Sequence, residues 1–190
     1  MEATTYELRL NNSAGTWIGH FTDFQNLVYT KKRNGVGRCE FDVRAEHAYV
    51  GQIADKCQLK VRRENASMGL AQHTDFDGIV RSCKRSRTDH TMYHCVALGL
   101  LHFLDWREVA WDAETAYRTR FVAEPAETVM KTLVSYNICA NATAANGRDR
   151  DGAITGFTVQ GDGAGGNTVD WVCARDNLLD TLQKLAAISI

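Results

Sequence analysis

Over residues 36–44 the chain alternates, with Cys39, Phe41 and Val43 apolar and Arg38, Glu40, Asp42 and Arg44 charged. A period of two puts these sets on opposite faces of a strand, one buried and one wet. The same period recurs at 57–62, where Cys57, Leu59 and Val61 oppose Gln58, Lys60 and Arg62. Cysteine thus stands at core positions and acts as a small hydrophobe. Further strands are predicted at 5–10, 26–31, 76–83 and 91–98, separated by turn-forming stretches such as Asn11 to Gly15 and Asn34-Gly35. Six or more short strands in the first half predict a small antiparallel barrel or sandwich.

The pattern changes after Leu98. Residues 99–106 predict a short helical turn, and 107–112 alternate again as a strand. Pro125 stands where a helix begins, and Ala126, Val129, Met130, Leu133 and Val134 recur at helical spacing until about Asn137 to Asn141. A second helix is predicted from Asp176 as N-cap, with Leu178, Leu179, Leu182, Leu185 and Ala186 forming one apolar stripe. Between the helices, two loops at 141–152 and 161–167 flank a predicted strand at 154–160 and are expected to be mobile. The expected fold class is α+β, mainly β: an N-terminal barrel domain over 1–105, then an α+β domain with two helices over 106–190.

Composition narrows the function classes. With 190 residues, 44% apolar and 24% charged, the chain can bury a core without a metal or disulfide. A net charge of −1 lacks the basic footprint of a protein that grips nucleic acid or an anionic membrane. The first residues show no basic segment followed by an apolar run, and no 18-residue apolar stretch occurs, so neither a signal peptide nor a membrane span is expected. The six cysteines form no CxxC pair and are expected to be reduced and buried.

Several local patterns suggest chemistry, and each is weak in context. Gly161 to Gly166 satisfies G-x-G-x-x-G, yet residues 168–173 look extended and no helix opens directly after the glycines, as dinucleotide binding requires. His90, His94 and Cys95 are zinc-ligand types, but on a strand Cys95 points away from the two histidines. Asp75 and Asp77 share a predicted strand face and could be imagined as an acid/base pair for glycoside hydrolysis, although nothing else converges on them. Arg81 to Arg87 is a basic run at a hairpin end, which fits a solvated tip or a subunit edge better than a phosphate contact. No catalytic residue, cofactor site or metal site is expected.

The order of features resembles the baseplate-hub proteins at the tail tips of siphoviruses. An early Leu-x-Leu strand and Trp17-Ile18-Gly19 lead into Phe24 to Leu27, then Asn34 to Gly37 and the strand Cys39 to Val43. Leu59 to Arg63 precedes Phe76-Asp77-Gly78-Ile79-Val80, then come Ala97 to Leu101 and Leu104 to Val109, and finally the helices at Pro125 to Ile138 and Arg175 to Ala186. Members of that family continue into further strands, which leaves the completeness of the second domain open. The resemblance implies a structural, non-enzymatic protein made in the host cytoplasm and carried at the virion tail tip. It implies a homotrimeric ring of barrel-like units below the tail tube, with partners among distal tail, other tail-tip and fibre proteins. DNA would pass only in transit, and no membrane partner is implied. Arg38, Glu40, Asp42 and Arg44 are the candidate subunit or tube contacts. Two other classes are weighed against the hub. A receptor- or carbohydrate-binding module would cluster Trp17, Trp106 and Trp111 on one exposed face, and a cell-wall hydrolase would need a site that the sequence lacks.

Overall fold

The computed structural model of the chain describes residues 4–86, 91–112 and 118–189. They fall into two compact units, Met1–Leu100 and Leu101–Ile190.

The first unit is one seven-stranded antiparallel sheet. Its strands are β1 (Thr5–Asn11), β2 (Trp17–Phe21), β3 (Gln25–Thr30), β4 (Arg38–Arg44), β5 (Gln58–Asn65), β6 (Leu70–Arg85) and β7 (Met92–Gly99), in the order β2-β1-β5-β6-β7-β4-β3. The alternation seen in the sequence sets the faces. Leu8 and Leu10, Cys39, Phe41 and Val43, Leu59 and Val61, and Cys95 and Ala97 all point into one core. The strand not foreseen is β2, a five-residue segment containing Gly19 whose alternation is too short to register.

This sheet covers its own apolar face by curling. Four strands stand between β2 and β4, so a flat sheet would separate them by about 24 Å at the usual inter-strand spacing. Instead the rings of Phe21 on β2 and Phe41 on β4 lie 6.3 Å apart. The expected barrel is therefore seen as a strongly curled sheet whose edge strands are β2 and β3, and no ladder joins those edges among the described residues. Two bulges help β6 follow the curl, since an extra residue bends a strand and increases its twist. One leaves Asp75 out of register opposite Val61/Arg62, and the other does the same for Arg81 between Val80 and Ser82.

In the second unit, α1 (His102–Asp105) is the expected helical turn. Helix α2 (Ala126–Ile138) buries Ala126, Val129, Leu133 and Ile138, with Pro125 as its N-cap and not in its first turn. Helix α3 (Leu178–Ile188) buries Leu178, Leu179 and Leu185, and it is capped by Asn177, whose side chain accepts a hydrogen bond from Asp180 N at 3.0 Å, not by Asp176. A two-stranded sheet pairs β8 (Thr119–Pro125) with β9 (Thr168–Cys173). The first of these hides from a periodicity search because Ala123, at φ 53°, breaks its alternation.

Two predicted strands are corrected. Residues 154–160 form none: Phe157 N donates to Ile154 O at 3.2 Å, and Gly156 sits at φ 89°, so a tight turn interrupts the extended pattern. Residues 107–112 form no strand of a sheet and make isolated bridges instead, Glu108 to Asn177 on one side and Trp111 to Arg148 on the other.

The cysteines also depart from expectation. Cys83 and Cys95 stand directly opposite across the β6–β7 ladder and are joined by a disulfide, a pairing that the bulge at Arg81 brings into register and that linear spacing does not reveal. Cys39, Cys57, Cys139 and Cys173 are free and buried. Burial, with a smaller contribution from Glu40, pushes the Cys39 thiol up to about 12, and burial with Asp176 pushes that of Cys173 up to about 11. Thiol titration of non-reduced protein should find four free groups once it is denatured and almost none in the native state. Six reactive thiols would show the bridge absent.

Candidate functional site

The bulge at Asp75 builds the most concentrated polar cluster of the first unit. Its carboxylate is 8% exposed and is met from three strands or strand ends. Tyr29 OH donates to Oδ2 at 2.8 Å, His73 Nε2 lies 3.0 Å from Oδ1, and Lys31 Nζ lies 3.4 Å from Oδ1. Arg63 Nε is 2.8 Å from Oδ2, an ion-pair contact too poorly aligned to count as a hydrogen bond. Burial by itself would raise the Asp75 carboxyl. The Tyr29 and His73 hydrogen bonds, the Arg63 charge and Lys31 more than offset it, so the group is held below its ordinary value. Burial and the Asp75 charge conversely push the Tyr29 phenol up.

This arrangement is structural and does not form an acid/base pair. Asp77 has its own partners, Gln58 Nε2 at 2.9 Å and Lys60 Nζ at 3.6 Å. The two carboxylates thus have separate sets of partners, whereas the pair of a glycosidase flanks one scissile bond. The cluster's effect is architectural: β7 and β4 stand between β6 and β3 in the sheet, yet Asp75 and Tyr29 hydrogen-bond across the curl.

The outer face of β4 carries the four charges singled out in the sequence. Arg38 pairs with Glu40 on its own strand. Asp42 accepts from Asn26 Nδ2 at 2.7 Å and contacts His94 Nδ1 at 2.8 Å, while Glu40 lies 3.9 Å from the other nitrogen of that ring. Arg44 makes no side-chain hydrogen bond or ion pair among the described residues. The strip is thus largely self-compensated and ends in one unengaged cation.

The other candidates disperse. His94 faces Asp42 while the Cys95 sulfur is bonded to Cys83, His90 lies outside the described residues, and no metal-ligating group of three occurs among the described residues. In the basic run, Arg81 pairs with Asp55 at 2.6 Å, and Arg87 lies outside the described residues.

The glycine-rich segment is pinned against helix α2. Gly165 N–H donates to Glu127 Oε2 at 2.7 Å, Lys131 Nζ reaches Gly161 O at 2.5 Å, and Thr128 Oγ1 donates to Asp162 Oδ2 at 2.7 Å. A Cβ at Gly165 would come within 2.8 Å of Glu127 Oε2, so a larger residue there would displace that carboxylate. The Lys131 hydrogen bond first, then that of Gly165, hold the Glu127 carboxyl low. The segment is thus tethered to helix α2 through Glu127, Thr128 and Lys131, and it leads into β9 and not into a helix.

The three tryptophans divide between the units and differ in their surroundings. Trp111 packs on Tyr136 with ring centroids 4.3 Å apart and donates to Asn146 O at 2.9 Å, so it belongs to the core of the second unit. Trp106 stands edge-on to His102 and Phe103. Trp17, in the first unit, is 59% exposed and stacks along His20 beside a groove of about 560 Å³ that also meets Glu7, Arg9 and Lys60.

Asp75→Asn keeps the shape of the side chain and removes its charge, so it should lower stability at pH 7 by about 2 kcal/mol, the scale of hydrogen bonds to a charged group. Since the folded-state pKa is depressed, this stabilisation is fully present above the unfolded value of about 3.9 and is lost as pH falls through the lower folded value. Urea unfolding at pH 7 and pH 3 should show the gap between parent and variant narrowing in acid.

No curated protein matches the chain. Among solved structures, one chain from "Virion of native gene transfer agent (GTA) particle" aligns at 13% identity and a TM-score of 0.44, covering 64% of this chain. The present chain spans about half of that relative, 54% of its length. The profile of the Siphovirus ReqiPepy6 Gp37-like proteins matches residues 7–189, nearly the whole sequence and both units, and the chain belongs to that family.

Proposed function

We propose that this protein is a structural hub of the siphovirus tail tip, assembling as a homotrimeric ring that caps the tail tube and connects it to distal tail and fibre proteins. The observation that carries the reading is the match to a siphovirus family over residues 7–189, which supports a part of the phage particle. The finer role rests on the resemblance in feature order and on the geometry of the first unit. Its curled sheet serves as a barrel-like unit, and residues 1–105 supply much of the surface that meets the tube. Closed cyclic symmetry suits a part that must cap a tube. DNA passes only in transit through the central channel, and the site of action is the tail tip of the virion.

The β4 strip of Arg38, Glu40, Asp42 and Arg44 is the proposed contact with a neighbouring subunit or the tube. Because Arg38, Glu40 and Asp42 are already paired inside the chain, the strip sets register more than affinity, and Arg44 is its most available charge. A second reading, a carbohydrate-binding module, is favoured by the exposed Trp17 ring beside its polar groove.

Native mass spectrometry with negative-stain imaging should find rings of three, weakening with salt as exposed charges are screened over roughly 8 Å at physiological ionic strength. Arg38→Glu with Arg44→Glu should impair ring formation or tube docking. It should cost the monomer less than about 1 kcal/mol, since exposed ion pairs contribute little. Unchanged assembly of the double variant at low salt would refute the strip as the contact, and a monomer in the intact tail would refute the hub. Trp17→Ala should leave the ring intact; loss of adsorption to host cells without loss of assembly would favour the second reading.

A further inference from the structure

Two arginines of the second unit each have a buried Nε that meets no acceptor. Residues 107–111 run extended between their two bridges, with Val109 and Trp111 buried. Arg107 shares their alternation and so projects from the same inward face. Its Nε is buried and has no hydrogen-bond acceptor. Arg148, the bridge partner of Trp111, is 6% exposed, and its Nε is likewise buried and unpartnered. Its guanidinium donates from Nη1 to the backbone oxygen of Arg150 at 2.5 Å. The guanidinium lies against Gly152, where a Cβ would come within 2.6 Å of Cζ and Nη1.

Among the described residues no carboxylate pairs with Arg107 or Arg148. Asp149 is paired with Arg175, and Asp151 accepts from Ala144 N at 2.8 Å. Burial first, then the charges of Arg107 and Arg150, lower the hold of Arg148 on its proton, and Asp149 offsets this only in part. A lysine or histidine here could relieve the burial by losing its proton, whereas arginine stays charged and keeps its fork of donors. Buried cations are ordinarily paired, and each exception calls for a ligand, an ion or a water.

We propose that Arg107, Arg148 and Arg150 form a receptor for an oxyanion, a carboxylate or phosphate group that reaches the buried Arg148 fork from the side of the exposed Arg150. The anion would accept from the free Nε–H donors and neutralise the repulsion among the three guanidinium groups, with the specificity of planar, charge-assisted hydrogen bonds. The group comes either from a free inorganic oxyanion or from an acidic side chain of a second copy of this chain.

The arginine Nε–Hε resonances of the full chain give a direct readout. Titrating the dilute protein with inorganic phosphate against sodium chloride at matched ionic strength should move the Arg107 and Arg148 signals saturably. Arg107→Gln should weaken the apparent phosphate affinity about tenfold or more, the loss expected for one charge-assisted hydrogen bond. If a second copy supplies the group, the same resonances should instead shift as protein concentration rises without phosphate. Arg148→Met should abolish either response. Should that variant fail to fold, the parent and Arg107→Gln titrations still decide. Arginine signals that respond neither to phosphate nor to protein concentration would overturn the proposal.

Discussion

The first hundred residues depend on one constraint: a single sheet must bury its own apolar face. Among its seven strands only curvature can bring Phe21 at one end over Phe41 near the other. Burying each such ring contributes about 1.5–3 kcal/mol, a gain that favours closing, and bulges in the strands help them bend. The edge strands are then tied by side chains, with the Tyr29–Asp75 hydrogen bond crossing the curl where no ladder does. Geometry and electrostatics are linked here: the bulge that bends β6 is also what leaves Asp75 where Tyr29, Arg63, His73 and Lys31 meet it.

The second unit meets a different demand. Its connections are long, and their backbone polar groups are satisfied by specific side chains. Glu127 and Lys131 hold the glycine-rich segment, and the buried Asn137 accepts from Ala110 N at 2.9 Å while donating to Leu133 O at 2.8 Å. Loops that are stretches of glycine and aspartate in the sequence become tethered once a helix supplies partners. The same accounting isolates Arg107 and Arg148, because around them the local partners run out.

Asp75 is held below its ordinary value by Tyr29, His73, Arg63 and Lys31, and the charges on the outer face of β4 are largely paired within the chain. Membership of a siphovirus family supports a part of the phage particle. Near-neutral net charge lets such parts meet without strong long-range repulsion.

The sequence by itself determined the inward and outward faces of β4 and β5, the positions of α2 and α3, and the lack of helical opening after Gly166, because each follows from local periodicity or a local cap. Its reading of β2 and β8 failed for local reasons as well, the one too short and the other broken at Ala123. Only the tertiary structure decided the curl, the Cys83–Cys95 bridge, the cluster at Asp75 and the arginines around Arg148. Each of these depends on register between strands or segments far apart in the chain. A single bulged residue shifts that register by one place and exchanges which side chains meet, an effect that periodicity along one strand does not carry.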